Sequence, residues 1–222
     1  MYDFEHETPG QKTERAAEIV RILQDTYPDA CCSLDFRDPF QLVVATILAA
    51  QCTDERVNMV TPSLFERYPD VRAFAQADFD ELCELVRSTG FFRSKAKHII
   101  ECAQGIVQDF NGAVPASMED LLSLSGIGRK TANLVLGDCF GIPSVVVDTH
   151  VKRIAGKLGL TKNTQPDKIE YDLREILPEK YYTVFNHILV FHGRAVCVAR
   201  KPKCEVCPIS HLCCEYSKTE LI

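Results

Sequence analysis

The chain has 222 residues, is 46 % hydrophobic and carries a net charge of −6. That length can bury one large core or two modest ones, and no run of 18 apolar residues is present to span a membrane as a helix. The acidic start, residues 1–8, lacks a basic segment followed by an apolar core, so no secretory signal or transit peptide is read there and the expected compartment is the cytosol. A surplus of acid argues weakly against nucleic acid, but the charge is uneven. Between His192 and Lys203 stand Arg194, Arg200, Lys201 and Lys203, with no acid among them.

Residues 12–27 read as a helix, because Ala16, Ile19, Val20 and Leu23 recur at helical spacing. Asp38-Pro39 has the form of an N-cap followed by proline in the first turn. Residues 40–50 follow, apolar on nearly every face, as a central core helix should be. Gln51 is the first polar residue after that run, so it sits where the core opens to a surface. A helix over 54–68, bent near Pro62, and a short amphipathic one over 79–88 come next. Thr89-Gly90-Phe91-Phe92-Arg93 is a turn with two adjacent aromatics, and a helix over 94–110 turns Ala96, Ile99, Ile100 and Ile106 inward.

Ser117 to Asp120 resembles a capping box and opens a short helix to Leu124. Gly126 and Gly128 make a turn, and a helix over 129–140 follows. Beyond the linker 141–144, Val145 to Val147 form an extended apolar run. Asp148-Thr149 starts a helix ending near Gly159, and two further helices cover 166–179 and 181–196. No stretch has a convincing strand pattern, so the expected fold is all-α with roughly ten helices.

Eleven cysteines is a high count, and five of them fall in the last 26 residues. The odd total and the absent leader argue against a disulfide scaffold. Cys31, Cys32, Cys52, Cys83, Cys102 and Cys139 are scattered and read as small apolar residues. Cys197, Cys204, Cys207 and Cys213 form a four-thiolate set that could hold either zinc or an iron–sulfur cluster. Cys214 is a spare thiol beside it.

Gly126-Ile127-Gly128 between two short helices lets the backbone approach a ligand without a Cβ in the way. The amides of the next helix then face that ligand from a positive dipole end, which suits a phosphate. The spacing is not that of a Walker loop, and an ordinary helix–turn–helix packing joint is the alternative. Arg129 adds charge to the turn. Lys130, in the first turn of an apolar helix, must face either solvent or a cleft.

The segments Leu124 to Leu136 and Val145 to His150, together with A-A-Q-C-T-D, T-G-F-F-R-S-K-A and H-G-R-x-x-C before the cysteine tail, resemble the endonuclease III family of base-excision DNA glycosylases. The resemblance spans residues 39–213. It implies two helical domains flanking a DNA-binding cleft: 32–142, with the helix–hairpin–helix, and 1–31 plus 143–222, with the C-terminal iron–sulfur loop. It implies a hairpin that holds the DNA backbone, often with a monovalent cation on its carbonyls, and a [4Fe-4S] cluster on Cys197, Cys204, Cys207 and Cys213.

Chemistry on a base requires extruding its nucleotide from the duplex. An amine can then attack the sugar C1′, displace the base and form a Schiff base. The resemblance assigns Lys130 as that nucleophile. Asp148, 18 residues later, cannot lower the amine's pKa, since a carboxylate stabilises an ammonium. It can accept a proton or stabilise positive charge developing on the sugar. Gln51 and Phe91 stand where the family fills the hole left by the extruded base, although many relatives carry an aliphatic residue in place of Phe91. Gly126, Gly128, Arg129, His150, Arg194, Arg200, Lys201 and Lys203 complete the expected DNA contacts.

The expected function is therefore a bifunctional glycosylase and AP lyase, acting as a monomer on double-stranded DNA with damaged, oxidised pyrimidines or abasic sites. A monofunctional mismatch glycosylase is one alternative, and the presence of Lys130 counts against it. A non-catalytic helix–hairpin–helix DNA-binding protein is the other, and it would need no Lys/Asp pair.

Overall fold

The computed structural model describes residues 3, 4 and 6–219. The ends of the chain read above for a leader and for domain limits therefore lie partly outside the described residues, at 1, 2, 5 and 220–222. Among the described residues there are twelve α-helices: α1 (Pro9–Thr26), α2 (Pro39–Ala49), α3 (Asp54–Arg67), α4 (Val71–Ala75), α5 (Phe79–Val86), α6 (Phe92–Asp109), α7 (Met118–Ser123), α8 (Arg129–Phe140), α9 (Thr149–Lys157), α10 (Pro166–Ile176), α11 (Tyr182–Ala195) and α12 (Cys214–Thr219). Four single 3₁₀ turns accompany them, and no described residue lies in a strand.

Sequence periodicity missed α4 and α12, which have 5 and 6 residues and are too short to show a repeating face. α1 starts at Pro9 rather than Lys12 because Thr8 caps it. The Thr8 side chain accepts from the Gln11 backbone, and the Gln11 side chain accepts from the Thr8 N–H. α6 begins two residues earlier than its apolar repeat suggests, directly after Phe91 in the left-handed region. α3 continues through Pro62 as one helix.

The chain divides into two compact units, Cys32–Ile142 and Met1–Cys31 with Pro143–Ile222. In the first, α2 buries seven of its eleven residues. It packs against α3, α6 and α8, while α6 packs on α4 and α5. Phe74 of α4 is fully buried, with ring centroids 5.3 Å from Phe40 and 5.1 Å from Tyr68, distances at which tilted and edge-on rings attract.

The second unit is built around α1, α9, α10 and α11. Ile19, Leu23, Ile154, Leu173, Phe185 and Leu189 form its core, and Cys197, Cys207 and Cys213 pack against that core. Arg15 is buried within it. Its guanidinium donates to both Glu7 oxygens at 2.6 and 2.9 Å, and to the carbonyls of Leu158 at 2.7 Å and Leu212 at 3.0 Å. One cation thus ties the N-terminal helix to the end of α9 and to the cysteine loop, with every short contact charge-assisted.

Candidate functional site

The hairpin between α7 and α8 is held from below by Leu124 and Ile127, both buried, and from one side by α6. The Ser125 hydroxyl donates to Glu101 Oε2 at 2.8 Å and meets His98 Nδ1 at 3.0 Å, so it accepts the ring proton of His98. Gly126 has φ +78°, and a Cβ there would lie 2.8 Å from His98 Cβ. Glycine is required at this position by backbone and packing alike. Gly128 differs. Its φ is −100°, and a Cβ would meet nothing within 4 Å. Nothing inside the protein demands glycine there, and the open space is where a phosphate would approach.

Gly128 is the N-cap of α8 and provides no side-chain cap. A helix start without a side-chain cap can take an anion. Lys130 is the second residue of α8 and is exposed, with Arg129 half-buried beside it.

Gln51 and Phe91 belong to the same unit as the hairpin. Gln51 is exposed with φ 54°, and Phe91 is 65 % exposed with φ 47°. Left-handed backbone is costly for residues with a Cβ and marks sites where the surroundings impose it. Phe92 is the half-buried member of the aromatic pair, with the Arg87 guanidinium 5.7 Å from its ring centroid.

Asp148 belongs to the other unit. It is the N-cap of α9, half-buried, and its Oδ1 accepts the Val151 N–H at 2.8 Å. The cap fixes the carboxylate's direction. His150 is half-buried and its Nδ1 lies 3.3 Å from an Arg153 nitrogen, so the guanidinium donates to it. Arg153 also donates to the Cys197 carbonyl at 2.8 Å.

Arg194, Arg200, Lys201 and Lys203 are exposed. The Lys203 ammonium donates to the Ala195 carbonyl at 3.0 Å, at the C-terminal end of α11, where the helix dipole favours a cation. Sequence reasoning assigned Lys203 to DNA only and missed this capping role.

Cys197, Cys204, Cys207 and Cys213 line one cavity of about 380 Å³. Cys214 does not line it and sits against Gly159 instead. Burial raises the Cys197 and Cys213 thiols above the ordinary value and pushes Cys207 up to about 11. Such thiols become ligands only when bound metal displaces their protons. Among the described residues no three His, Cys, Asp or Glu converge on a point that could hold one metal ion. Four thiols lining one cavity of this volume fit a cluster, in which each iron takes one thiolate.

His192, 1 % exposed, stands beside this cavity. Its Nε2 is 3.6 Å from Cys207 Sγ and its Nδ1 is 3.2 Å from the Tyr27 hydroxyl. Sequence reading missed Tyr27, Arg15 and Arg153, whose partners are distant in the chain. It could have found Lys95, a cation in helical register with Ile99, Cys102 and Ile106 on a buried face.

An all-α fold with a glycine hairpin, an exposed lysine at a helix start and a four-thiol cavity defines a DNA-repair protein of the helix–hairpin–helix type. Residues 44–179 match the HhH-GPD superfamily base excision DNA repair proteins, and residues 197–213 match the iron-sulfur binding domain of endonuclease III. Over 205 residues the chain is 56 % identical to endonuclease III of Synechocystis sp., covering 92 % of this chain and 94 % of that protein. It superposes on a non-covalent endonuclease III–DNA complex with a TM-score of 0.88 at 36 % identity, covering 95 % of this chain and 99 % of the other. A trapped endonuclease III–DNA covalent intermediate matches with a TM-score of 0.88 at 37 % identity, covering 94 % and 98 %. The chain belongs to the endonuclease III family, and the cofactor of its iron–sulfur domain is a [4Fe-4S] cluster.

Proposed function

We infer that this chain is a bifunctional DNA glycosylase and AP lyase acting on damaged pyrimidines, with Lys130 as the nucleophile and Asp148 as its carboxylate partner. The observation that carries the reading is the placement of Lys130. It is an exposed amine in the first turn of α8, directly after a glycine hairpin whose helix start has no side-chain cap. A phosphate held on those amides brings the adjoining sugar within reach of the amine. The relative trapped as a covalent intermediate with DNA supports a route through a bond between enzyme and DNA.

The steps balance without an added oxidant or reductant. The neutral Lys130 Nζ attacks C1′, the bond from C1′ to the base breaks, and the base leaves with the bonding electrons and a proton. The nitrogen lone pair then expels O4′, which takes a proton as the sugar ring opens, and the product is the protonated Schiff base. Removal of a C2′ proton then expels the 3′ phosphate by β-elimination, and water returns the amine. Asp148, fixed through Oδ1 by its cap on α9, offers Oδ2 to accept a proton or to stabilise the positive charge growing on the sugar.

Cys197, Cys204, Cys207 and Cys213 are the proposed ligands of the cluster, whose chemistry here is to cross-link the loop when bound. That loop then presents Arg200, Lys201 and Lys203 to phosphates, with Arg194 at the end of α11 beside it, an affinity that weakens with salt. Gln51 and Phe91 are the proposed wedge, while Gly126, Gly128, Arg129 and His150 contact the strand. No helix among the described residues is long and apolar enough to cross a membrane. The location that fits a DNA substrate is the cytoplasm, at the nucleoid if the cell is prokaryotic.

Borohydride reduction traps the Schiff base and so tests the assignment directly. Lys130→Gln should bind abasic duplex within a few-fold of wild type and yield no trapped complex. A mutant that traps as efficiently as wild type removes Lys130 from the mechanism.

A further inference from the structure

Lys95 is 4 % exposed, a depth at which lysines are rare unless they are paired. Its partners are two backbone carbonyls, Leu48 at 2.8 Å and Thr89 at 2.7 Å. Leu48 lies in the last turn of α2, three residues before Gln51. Thr89 ends the 3₁₀ turn Arg87–Thr89, two residues before Phe91. Charge-assisted bonds of this length are the strong kind, and the C-terminal carbonyls of α2 carry the partial negative charge that favours a cation. Burial lowers the pKa of the ammonium, and the two carbonyls compensate part of that desolvation.

The segments joined by this ammonium share a second property. Gln51 and Phe91 are two of the three non-glycine residues with positive φ among the described residues. Each conformation is costly for a residue with a Cβ and persists only where surrounding contacts dictate it. Of these two residues, Phe91 holds its ring 65 % exposed, so no packing of the side chain secures the turn.

We propose that Lys95 is a positioning residue for base extrusion: its ammonium braces the turn that presents Gln51 to the turn that presents Phe91, so that the two enter the duplex as one rigid wedge. The inference rests on the assignment of Gln51 and Phe91 to the wedge. Lys95 touches neither the base nor the sugar, and its effect is confined to the step in which a nucleotide leaves the stack.

Single-turnover rates separate that step from the later chemistry. Base release from a duplex with one oxidised pyrimidine requires extrusion, whereas scission at a preformed abasic site in single-stranded DNA does not. Lys95→Met should slow the first by roughly ten- to hundred-fold, the cost of a misplaced group, and leave the second within about twofold. The double variant Lys95→Met with Phe91→Ala should be no more than about twofold slower than Phe91→Ala alone, because both act through one wedge. Lys95→Arg keeps a cation with several donors and should recover part of the duplex rate.

Equal losses on both substrates, or losses that multiply in the double variant, overturn the proposal. If Lys95→Met fails to fold, the Lys95→Arg variant decides: a folded arginine variant with selective slowing on duplex supports the brace, and one slowed equally on both substrates refutes it. The underlying wedge assignment fails separately, when Phe91→Ala alone leaves duplex base release unchanged. Should Phe91→Ala slow that step while Lys95→Met does not, only the role given to Lys95 is lost.

Discussion

Two glycines of one hairpin do different work. Gly126 is constrained from inside, by φ +78° and by His98 Cβ at 2.8 Å from where its own Cβ would stand. Gly128 is constrained by nothing within 4 Å, so its smallness serves what comes from outside. Gly126→Ala should cost about 2 kcal/mol or more, the sum of left-handed strain and a displaced α6 neighbour, read as a lowered melting temperature. Gly128→Ala should melt within a few degrees of wild type and yet bind duplex DNA more weakly. If Gly128→Ala binds as wild type does, the hairpin does not bring its backbone close to a phosphate at that residue. The sequence showed both glycines alike, because a residue's φ and its distant neighbours are absent from a one-dimensional string.

Pairing between elements is clearest where α3 meets α5. At the end of α3, Arg67 donates to both Glu81 oxygens at 2.6 and 2.9 Å, and the Tyr68 hydroxyl donates to Glu81 Oε2 at 3.0 Å. The exposed Arg67–Glu81 ion pair contributes little by itself. The tyrosine is 4 % exposed, and burial, followed by its bond to the carboxylate, pushes its hydroxyl up to about 12. A folded-state pKa raised above the unfolded value of about 10 gives stability that is complete below pH 10. That stability is lost as the pH rises through 10 towards 12. Urea unfolding across that window should show wild type weakening more steeply than Tyr68→Phe. Parallel slopes for the two proteins would mean that Tyr68 does not carry the alkaline dependence.

The whole molecule consists of two compact units, and the cysteine loop belongs to the one formed by Met1–Cys31 and Pro143–Ile222. Cys197, Cys207 and Cys213 pack on that unit's core, and Arg15 bonds to the Leu212 carbonyl beside Cys213. Loss of the cluster should therefore loosen one unit selectively. Cys207→Ser should abolish the cluster's visible absorption and speed amide exchange in α1, α9 and α11, while α2 and α8 keep their protection, because local stability follows cooperative units. Uniform acceleration across both units would show that the cluster supports the whole fold instead.

Helix positions, the glycine hairpin and the order of the cysteines were legible from residue spacing, because a 3.6-residue repeat, a cap and a run of thiols are all local. The same locality placed Asp148 at a helix start and Lys130 one residue past the turn. The family resemblance supplied their roles and the choice of an iron–sulfur cluster over zinc, which the spacing had left open. Tertiary structure alone decided which groups are buried and what they face. It separated Cys213, which lines the cavity, from Cys214, which does not. It also turned Lys203 towards a helix end and placed Arg15 and Lys95 in the interior. Those outcomes depend on carbonyls contributed by residues 6 to 197 positions away, whose placement only the folded chain defines. A buried cation is stable only after its acceptors have assembled around it, and that assembly is a property of the fold.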